Sequence, residues 1–406
     1  MEIYEVGGAV RDRLLGRAIV DRDWVVVGAT PEELIRLGFR QVGRDFPVFL
    51  HPRTQEEYAL ARTERKQGRG YHGFEFDTAT NVTLEQDLAR RDLTINAIAQ
   101  DKHGKLIDPY GGQADLEKGI LRHITSAFAE DPLRVLRVAR FAARFDYRVA
   151  PETLELMRSL AISGELTTLT AERVWSELER ALGEPHPARF IEVLHACGAL
   201  SALFPELAYL FDGTQPDLRV HLLRRLRASA HHKTPTTVRF ALLLYDFGAT
   251  ESPATLLPVQ AEQQTPRRHL LEIFCARLKV PSAYRDLASL VARYHGKIHR
   301  VRALDLSALV DFLSDLDAFR RPARLEELLL ACEIGTMQGR GDEDLISYPQ
   351  GAWIRATVAV CRAVEMAPIL AQCVDGPQVK AALRAARIEA LRHNLKGDWT
   401  GSTRSD

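Results

Sequence analysis

The sequence predicts an α+β protein: a mixed β-sheet domain at the N-terminus followed by a nearly all-helical remainder. Three observations carry this expectation. Short apolar or alternating runs separated by turn residues fill the first part of the chain, which is the strand signature. From Leu84 onward, apolar residues recur at helical spacing almost to the C-terminus. Strand signals become sparse after about residue 125, so the main domain boundary is expected there.

The strand candidates are residues 3–6, 24–27, 40–42, 48–51 and 57–61. Gly7-Gly8 follows the first of them and opens a predicted helix over 9–15. Backbone N–H groups at such a turn can approach and bind phosphate. Asp21 and Asp23 flank Arg22 just before the apolar run beginning at Trp24. In a strand, residues i and i+2 point to one side, so both carboxylates face one spot. Like charges held together repel, and a hard divalent cation such as Mg2+ relieves that by taking oxygen ligands from both. A phosphate cradle beside a metal-binding pair points to nucleotidyl transfer from a nucleoside triphosphate. Arg11 stands one helical turn beyond the glycines. The polar, basic, glycine-rich segment 62–73 is read as a mobile loop beside the site, with an ordinary hairpin connection as the alternative.

Helices are predicted over 132–145, 171–182, 187–197, 218–229 and 324–335, with a softer boundary at the turn-rich segment 211–216. Two clusters lie in the helical part. In Asp87-Leu-Ala-Arg90-Arg91-Asp92-Leu-Thr-Ile-Asn96, two guanidinium forks suit triphosphate oxygens. Asp92 can orient one fork, and Asn96 can bond a ribose hydroxyl or a backbone turn. Taken alone, this cluster also fits a salt-bridged helix end. In the second cluster Asp131 is an N-cap candidate with Pro132 at the first helical position. At about 100° per residue, Arg134, Arg137, Arg140 and Arg144 share one third of the helix circumference. Val135, Leu136, Ala139 and Ala143 take the opposite, inward side. A face bearing bases only reads as an anion or nucleotide platform. Asp131 and Arg134, three residues apart, can read a base edge by accepting from an amine and donating to a ring nitrogen or carbonyl.

Bulk properties narrow the class. A chain of 406 residues exceeds a single core, so two to four domains are expected. With 46% hydrophobic and 27% charged residues the composition is that of a soluble globular protein. No apolar run approaches bilayer length and no signal-peptide pattern is present, which makes the cytoplasm the expected compartment. Five scattered cysteines without Cys-x-x-Cys spacing predict reduced thiols, neither a disulfide framework nor a zinc site. The 54 basic and 54 acidic side chains cancel, which argues against a long RNA-coating tail but leaves room for a local basic patch.

Five motifs now stand in order: Gly7-Gly8-x-x-Arg11-Asp12, Asp21-x-Asp23, Arg90-Arg91-Asp92-x-x-x-Asn96, Glu130-Asp131-x-x-Arg134 and Glu172-Arg173-Val174-x-x-Glu177-Leu178. Together they resemble the bacterial class II tRNA nucleotidyltransferases, the CCA-adding enzymes, strongly over the first half and more weakly to about residue 395. That family shares its catalytic core with bacterial poly(A) polymerases. The resemblance implies that Gly8, Arg11, Arg91, Arg137 and Arg140 contact bound ATP or CTP, and that Asp21 and Asp23 are the catalytic Mg2+ ligands. It implies that Asp131 and Arg134 select cytosine or adenine in place of a nucleic-acid template. The implied activity is addition and repair of CCA at the tRNA 3′ end with release of pyrophosphate. The implied domains are a catalytic head (1–125), a helical neck with the nucleotide-selecting motif (126–210), a body (211–330) and a tRNA-contacting tail (331–406). A monomer is expected. The rivals are a poly(A) polymerase, an enzyme adding only CC or only A, and a non-catalytic RNA-binding protein, against which the intact aspartates and arginines count.

One departure stands out. Some relatives carry an HD-type metal phosphohydrolase in the third quarter of the chain, built on separated His, His-Asp and Asp ligands. Here His221 stands where the first histidine could lie, but Tyr245-Asp246 replaces His-Asp. Tyrosine cannot serve as a neutral nitrogen ligand. Segment 255–264 also lacks the histidines that often follow. The module is therefore expected to persist as a scaffold without phosphatase activity, with His295 and His299 as a surface pair.

Overall fold

The computed structural model describes residues 1–42, 48–66, 74–77, 80–211, 216–248, 267–336 and 348–394. The chain divides into two compact units, Met1–Ala208 and Tyr209–Asp406.

The first unit is built on β1 (Glu2–Val6), α1 (Gly8–Leu14), β2 (Asp23–Val27), α2 (Pro31–Arg36), β3 (Arg40–Val42), β4 (Val48–Leu50) and β5 (Glu57–Leu60). After these come β6 (Thr63–Lys66), β7 (Phe74–Asp77), α3 (Leu84–Ala89), β8 (Ala99–Gln100) and β9 (Leu106–Ile107). Seven strands form one mixed sheet in the order β3-β4-β5-β2-β1-β8-β9. β1 pairs antiparallel with β2, and β2 runs parallel to β5. Alternation divides the apolar residues between two faces. Val6, Val25 and Ala99 pack with Leu84 and Leu88 of α3 on one side. Val26, Tyr58 and Leu60 pack with Leu34 of α2 on the other. Both covering helices start at a capping box: Thr30 with Glu33, and Thr83 with Gln86.

Two details lie below the resolution of the sequence reading. Beyond Leu84, where helical spacing dominates, β8 and β9 still complete the sheet at its β1 edge. Strands of two residues are too short to leave a period in the sequence. Within the segment 62–73, residues 63–66 form β6, which pairs antiparallel with β7 (Thr63 with Asp77, Lys66 with Phe74), in keeping with the hairpin alternative; residues 67–73 lie outside the described residues.

The chain then passes through α4 (Gly112–Lys118) and into helices α5 (Leu133–Phe145), α6 (Pro151–Ile162) and α7 (Ala171–Gly183). In α5, Val135, Leu136, Ala139 and Ala143 are buried, which is the inward face read from the spacing. The second unit is helical among its described residues and includes Pro216–His231, Thr236–Leu243, Ser282–His299, Pro322–Gly335, Pro349–Arg362 and Gly376–Asn394. The last three predicted helices are present with ends shifted by one or two residues. All five cysteines are free thiols, four of them buried. No helix among the described residues is long and apolar enough to cross a membrane.

Candidate active site

The site is set by the register of the central strands. Val6, the last residue of β1, pairs with Asp23, the first residue of β2, so that carboxylate stands beside the glycine turn that follows Val6. Gly7 adopts φ +71°, where L side chains are strained, and donates its N–H to the Ile98 carbonyl at 3.2 Å. A Cβ at Gly7 would come within 2.9 Å of Arg91 Nη1, so the glycine lets the arginine cross the turn. Asp21 and Asp23 are both solvent-accessible. Protein around the sheet end still removes enough water from Asp23 to raise its carboxyl pKa. Arg91 opposes that rise and the negative charge of Asp21 adds to it. Two accessible carboxylates that repel each other, facing an arginine, fit a hard cation that draws its remaining oxygens from water and phosphate. No group of three or more His, Cys, Asp or Glu side chains suited to a closed metal cage occurs among the described residues.

Behind this corner lies a buried charge network. Asp87 is fully buried and accepts from Arg90 Nη2 at 2.7 Å, Arg91 Nη2 at 3.2 Å and the Arg62 backbone N–H at 3.3 Å. Burial pushes its pKa up, but the two arginines more than compensate and hold it below the ordinary range. Asp92 behaves alike: burial is overcome by Arg137, by hydrogen bonds from Asn96 and Arg137, and by the charge of Arg134. Arg137 donates to Asp92 Oδ2 through Nε at 2.8 Å and Nη2 at 2.7 Å. Asn96 donates to Asp92 Oδ1 at 2.9 Å and accepts from Arg11 Nη1, so its amide is engaged inside the protein and is not held out for a ribose. Arg11 is buried, bonds Asp12 Oδ1 at 2.9 Å and lies over the Phe145 ring at 5.0 Å.

The arginine stripe of α5 is not a bare anion platform. Its counter-charges come from distant segments, which spacing along one helix cannot reveal. Arg137 is held by Asp92, Arg140 by Glu177 of α7 at 2.6 Å and Arg144 by Asp12 of α1 at 3.0 Å. Arg134 is buried and donates to the Ala127 and Arg90 carbonyls at 2.9 and 2.6 Å. α5 starts at Leu133 with Pro132 in the N-cap position, one residue later than the sequence suggests, and Asp131 Oδ1 accepts from the Leu133 N–H at 3.0 Å. Its side-chain partner is Arg173 of α7, at 2.9 and 3.2 Å, and not Arg134. The pair read from i, i+3 spacing is thus two separately anchored groups. Sequence reasoning gave Arg173 and Glu177 no role; their signal is the four-residue spacing that puts both on one face of α7.

The Arg140–Glu177 pair is 9% and 5% exposed in its side chains. Removing one partner of a buried pair costs up to about 3–5 kcal/mol, and Glu184 Oε1, 3.9 Å from Arg140 Nη1, would remain as a weaker counter-charge. Glu177→Ala is therefore expected to lose stability on that scale in chemical denaturation. A midpoint unchanged from wild type would show that water already screens Arg140.

In the second unit, Tyr245 is buried and its hydroxyl lies 2.9 Å from His299 Nε2. His299 Nδ1 lies 3.0 Å from the Tyr348 hydroxyl. The His295 ring sits 4.4 Å from that of Tyr245, and its Nδ1 lies 2.9 Å from the Val291 carbonyl. His295 and His299 are therefore not a surface pair. They share the inward face of their helix and converge on Tyr245. Burial, with His295 nearby, pulls the His299 pKa down to about 4. Arg225 is ion-paired with Asp246 and stacks over the Tyr245 ring at 4.7 Å. His221 is half-buried on Pro216–His231, and residues 255–264 lie outside the described residues.

Comparison with known proteins extends this picture. Residues 3–122 match the model of the Poly A polymerase head domain. Residues 146–211 match the family described as "Probable RNA and SrmB- binding site of polymerase A". The chain is 51% identical over 399 residues to the multifunctional CCA protein of Nitrosococcus oceani, covering 97% of this chain and 98% of that protein. It is 52% identical over 402 residues to the protein of the same name from Pseudomonas fluorescens Pf0-1, with 97% and 98% covered. Among solved structures, the apo form II of a CCA-adding enzyme aligns with a TM-score of 0.65 at 21% identity, covering 100% of this chain and 89% of that one. The Thermotoga maritima CCA-adding enzyme in complex with tRNA aligns with a TM-score of 0.62 at 20% identity, covering 100% and 88%. At that identity the structural likeness speaks for the fold.

Proposed function

The chain belongs to the multifunctional CCA protein family, and on that premise we propose that it adds and repairs the 3′-terminal CCA of tRNA from CTP and ATP, releasing pyrophosphate. The observation that carries the reading is the convergence of the Gly7 turn, Arg91 and Asp23 at one end of the central strands. On this reading the RNA 3′-hydroxyl attacks the α-phosphorus of the bound nucleotide. A divalent cation held by Asp21 and Asp23, Mg2+ by preference for two carboxylates plus phosphate oxygens, supplies charge neutralisation at the reacting phosphate.

Gly8 presents its backbone to the triphosphate. Arg91 and Arg137 are the cations reachable from solvent, while Arg11 and Arg140 engage by exchanging Asn96 and Glu177 for phosphate oxygens. Asp131 accepts from the amine of cytosine or adenine, and Arg134 donates to the adjoining ring edge. The neck (126–210) carries the nucleotide-selecting residues, the body (211–330) is the degenerate HD-like module, and the tail (331–406) contacts the tRNA. The enzyme acts as a monomer where tRNA is matured, in the cytoplasm.

Incubation with tRNA lacking one, two or three 3′ nucleotides tests this. CTP alone should add two residues to the shortest tRNA, ATP alone should complete tRNA ending in CC, and both together should stop at CCA. A long adenylate tract from ATP alone would make the chain a poly(A) polymerase. Addition of only CC or only A would place it among the enzymes that divide the task.

The same reading denies the second unit a phosphohydrolase. Tyr245 stands where an HD site needs a histidine, and Arg225 already neutralises Asp246. Purified protein should therefore show no Ni2+-, Mg2+- or Mn2+-dependent hydrolysis of 2′,3′-cyclic phosphates or phosphomonoesters. Hydrolysis above a blank that disappears in Asp246→Ala would overturn this.

A further inference from the structure

Glu5 of β1 is a buried carboxylate on the sheet face turned away from the proposed cation site. Cross-strand partners share a face. Glu5 pairs with Trp24 of β2 and Gln100 of β8, whereas Val6 pairs with Asp23. Arg13 of α1 holds Glu5 Oε2 at 2.6 Å and also donates to the Gln100 side chain. Glu5 Oε1 is buried and accepts no hydrogen bond. Its second cation is Arg22, the residue between Asp21 and Asp23, whose Nε stands 3.7 Å away, just outside hydrogen-bond reach. A buried carboxylate oxygen without a donor has lost water without replacing it, so its nearest donor is under pull toward it.

We propose that Glu5 is a positioning residue for the Asp21-x-Asp23 pair. By holding Arg22 on the far face of the sheet, it fixes the backbone from which both carboxylates project toward the cation. Asp21 and Asp23 would hold the cation, and Arg22, 3.7 Å from Glu5 Oε1, is the donor nearest to closing a hydrogen bond to that oxygen. Arg13 ties the same carboxylate to α1, so the helix after the glycine turn and the segment bearing the carboxylates are referenced to one buried anchor. This rests on reading Asp21 and Asp23 as cation ligands.

The test is Mn2+ binding to the full-length protein, counting free Mn2+ by electron paramagnetic resonance, with Asp21→Ala as the reference for a lost site. Glu5→Gln and Arg22→Ala should each raise the Mn2+ dissociation constant roughly tenfold, the scale seen when a partner of a ligating group is removed. The double variant should lose no more than either single one. In nucleotide addition, both single variants should regain turnover at high Mn2+ with an unchanged KM for CTP. A merely structural Glu5 would lower the melting temperature and leave the Mn2+ affinity of the folded protein at its wild-type value, which overturns the proposal. Arg22 is 47% exposed in its side chain, so Arg22→Ala carries the test if Glu5→Gln unfolds. Full Mn2+ binding in Asp21→Ala, or none in wild type, also overturns it. Expected Mn2+ behaviour without nucleotide addition to tRNA would leave it standing and refute the proposed function instead.

Discussion

Asp21→Ala and Asp23→Ala are each expected to abolish nucleotide addition while leaving tRNA binding close to wild type. The register Val6 to Asp23 fixes one carboxylate beside the glycine turn, and the charge of Asp21 is felt at Asp23. On the proposed reading, removing either would leave the cation with a single protein ligand. The loss falls on charge stabilisation in the transition state, worth several kcal/mol, or roughly a thousandfold or more in turnover. Both side chains are solvent-accessible, so their removal opens no cavity and leaves no buried partner uncompensated. Turnover of tRNA lacking CCA with saturating CTP and Mg2+, beside a filter-binding assay for tRNA, measures both halves. Near-wild-type turnover in either variant would remove these residues from the reaction.

Asp131→Ala should lower CTP and ATP incorporation and narrow the gap to UTP. Cytosine and adenine offer an amine to a carboxylate acceptor, whereas uracil offers a carbonyl, so on the proposed reading Asp131 would face UTP with acceptor against acceptor. One such mismatch is worth roughly 1–3 kcal/mol, about ten- to a hundredfold in relative kcat/KM. Arg134→Ala should weaken both correct nucleotides.

Arg173 adds a variant that the spacing in α5 does not suggest. Its guanidinium grips both Asp131 oxygens, so Arg173→Ala frees the carboxylate without deleting it. Partial loss of discrimination is expected. Asp131 also accepts from the Leu133 N–H at the start of α5, so a melting curve must accompany the assay, since losing a bond at a helix start costs about 1 kcal/mol. Steady-state incorporation of all four nucleotides decides the matter. Unchanged discrimination in folded Asp131→Ala and Arg134→Ala would reduce the pair to a helix cap and a backbone brace.

The sequence was most informative where chemistry and local geometry coincide. The apolar strand that follows Asp23 and a double glycine after an apolar strand are written within a few neighbouring positions, whereas Asp21 lies just outside that strand, and the mixed sheet followed by helices is observed. Signals spread over two residues, as in β8 and β9, were invisible because a period needs length to show.

What the chain determined by itself was the order of motifs, the composition of each face and the strand-to-helix plan, all fixed by periodicity and steric preference over short range. What only the tertiary structure decided was which charges meet. Arg137 finds Asp92, Arg140 finds Glu177, Arg144 finds Asp12, and Asp131 finds Arg173 instead of Arg134. His295 and His299, indistinguishable from a surface pair by spacing, close on Tyr245 and Tyr348. The reason is physical: a helix or strand restricts its own side chains to faces, but the partner that neutralises a buried charge comes from whichever segment the packing brings alongside. In the pairs Arg137–Asp92 and Arg144–Asp12 that segment is 45 and 132 residues away.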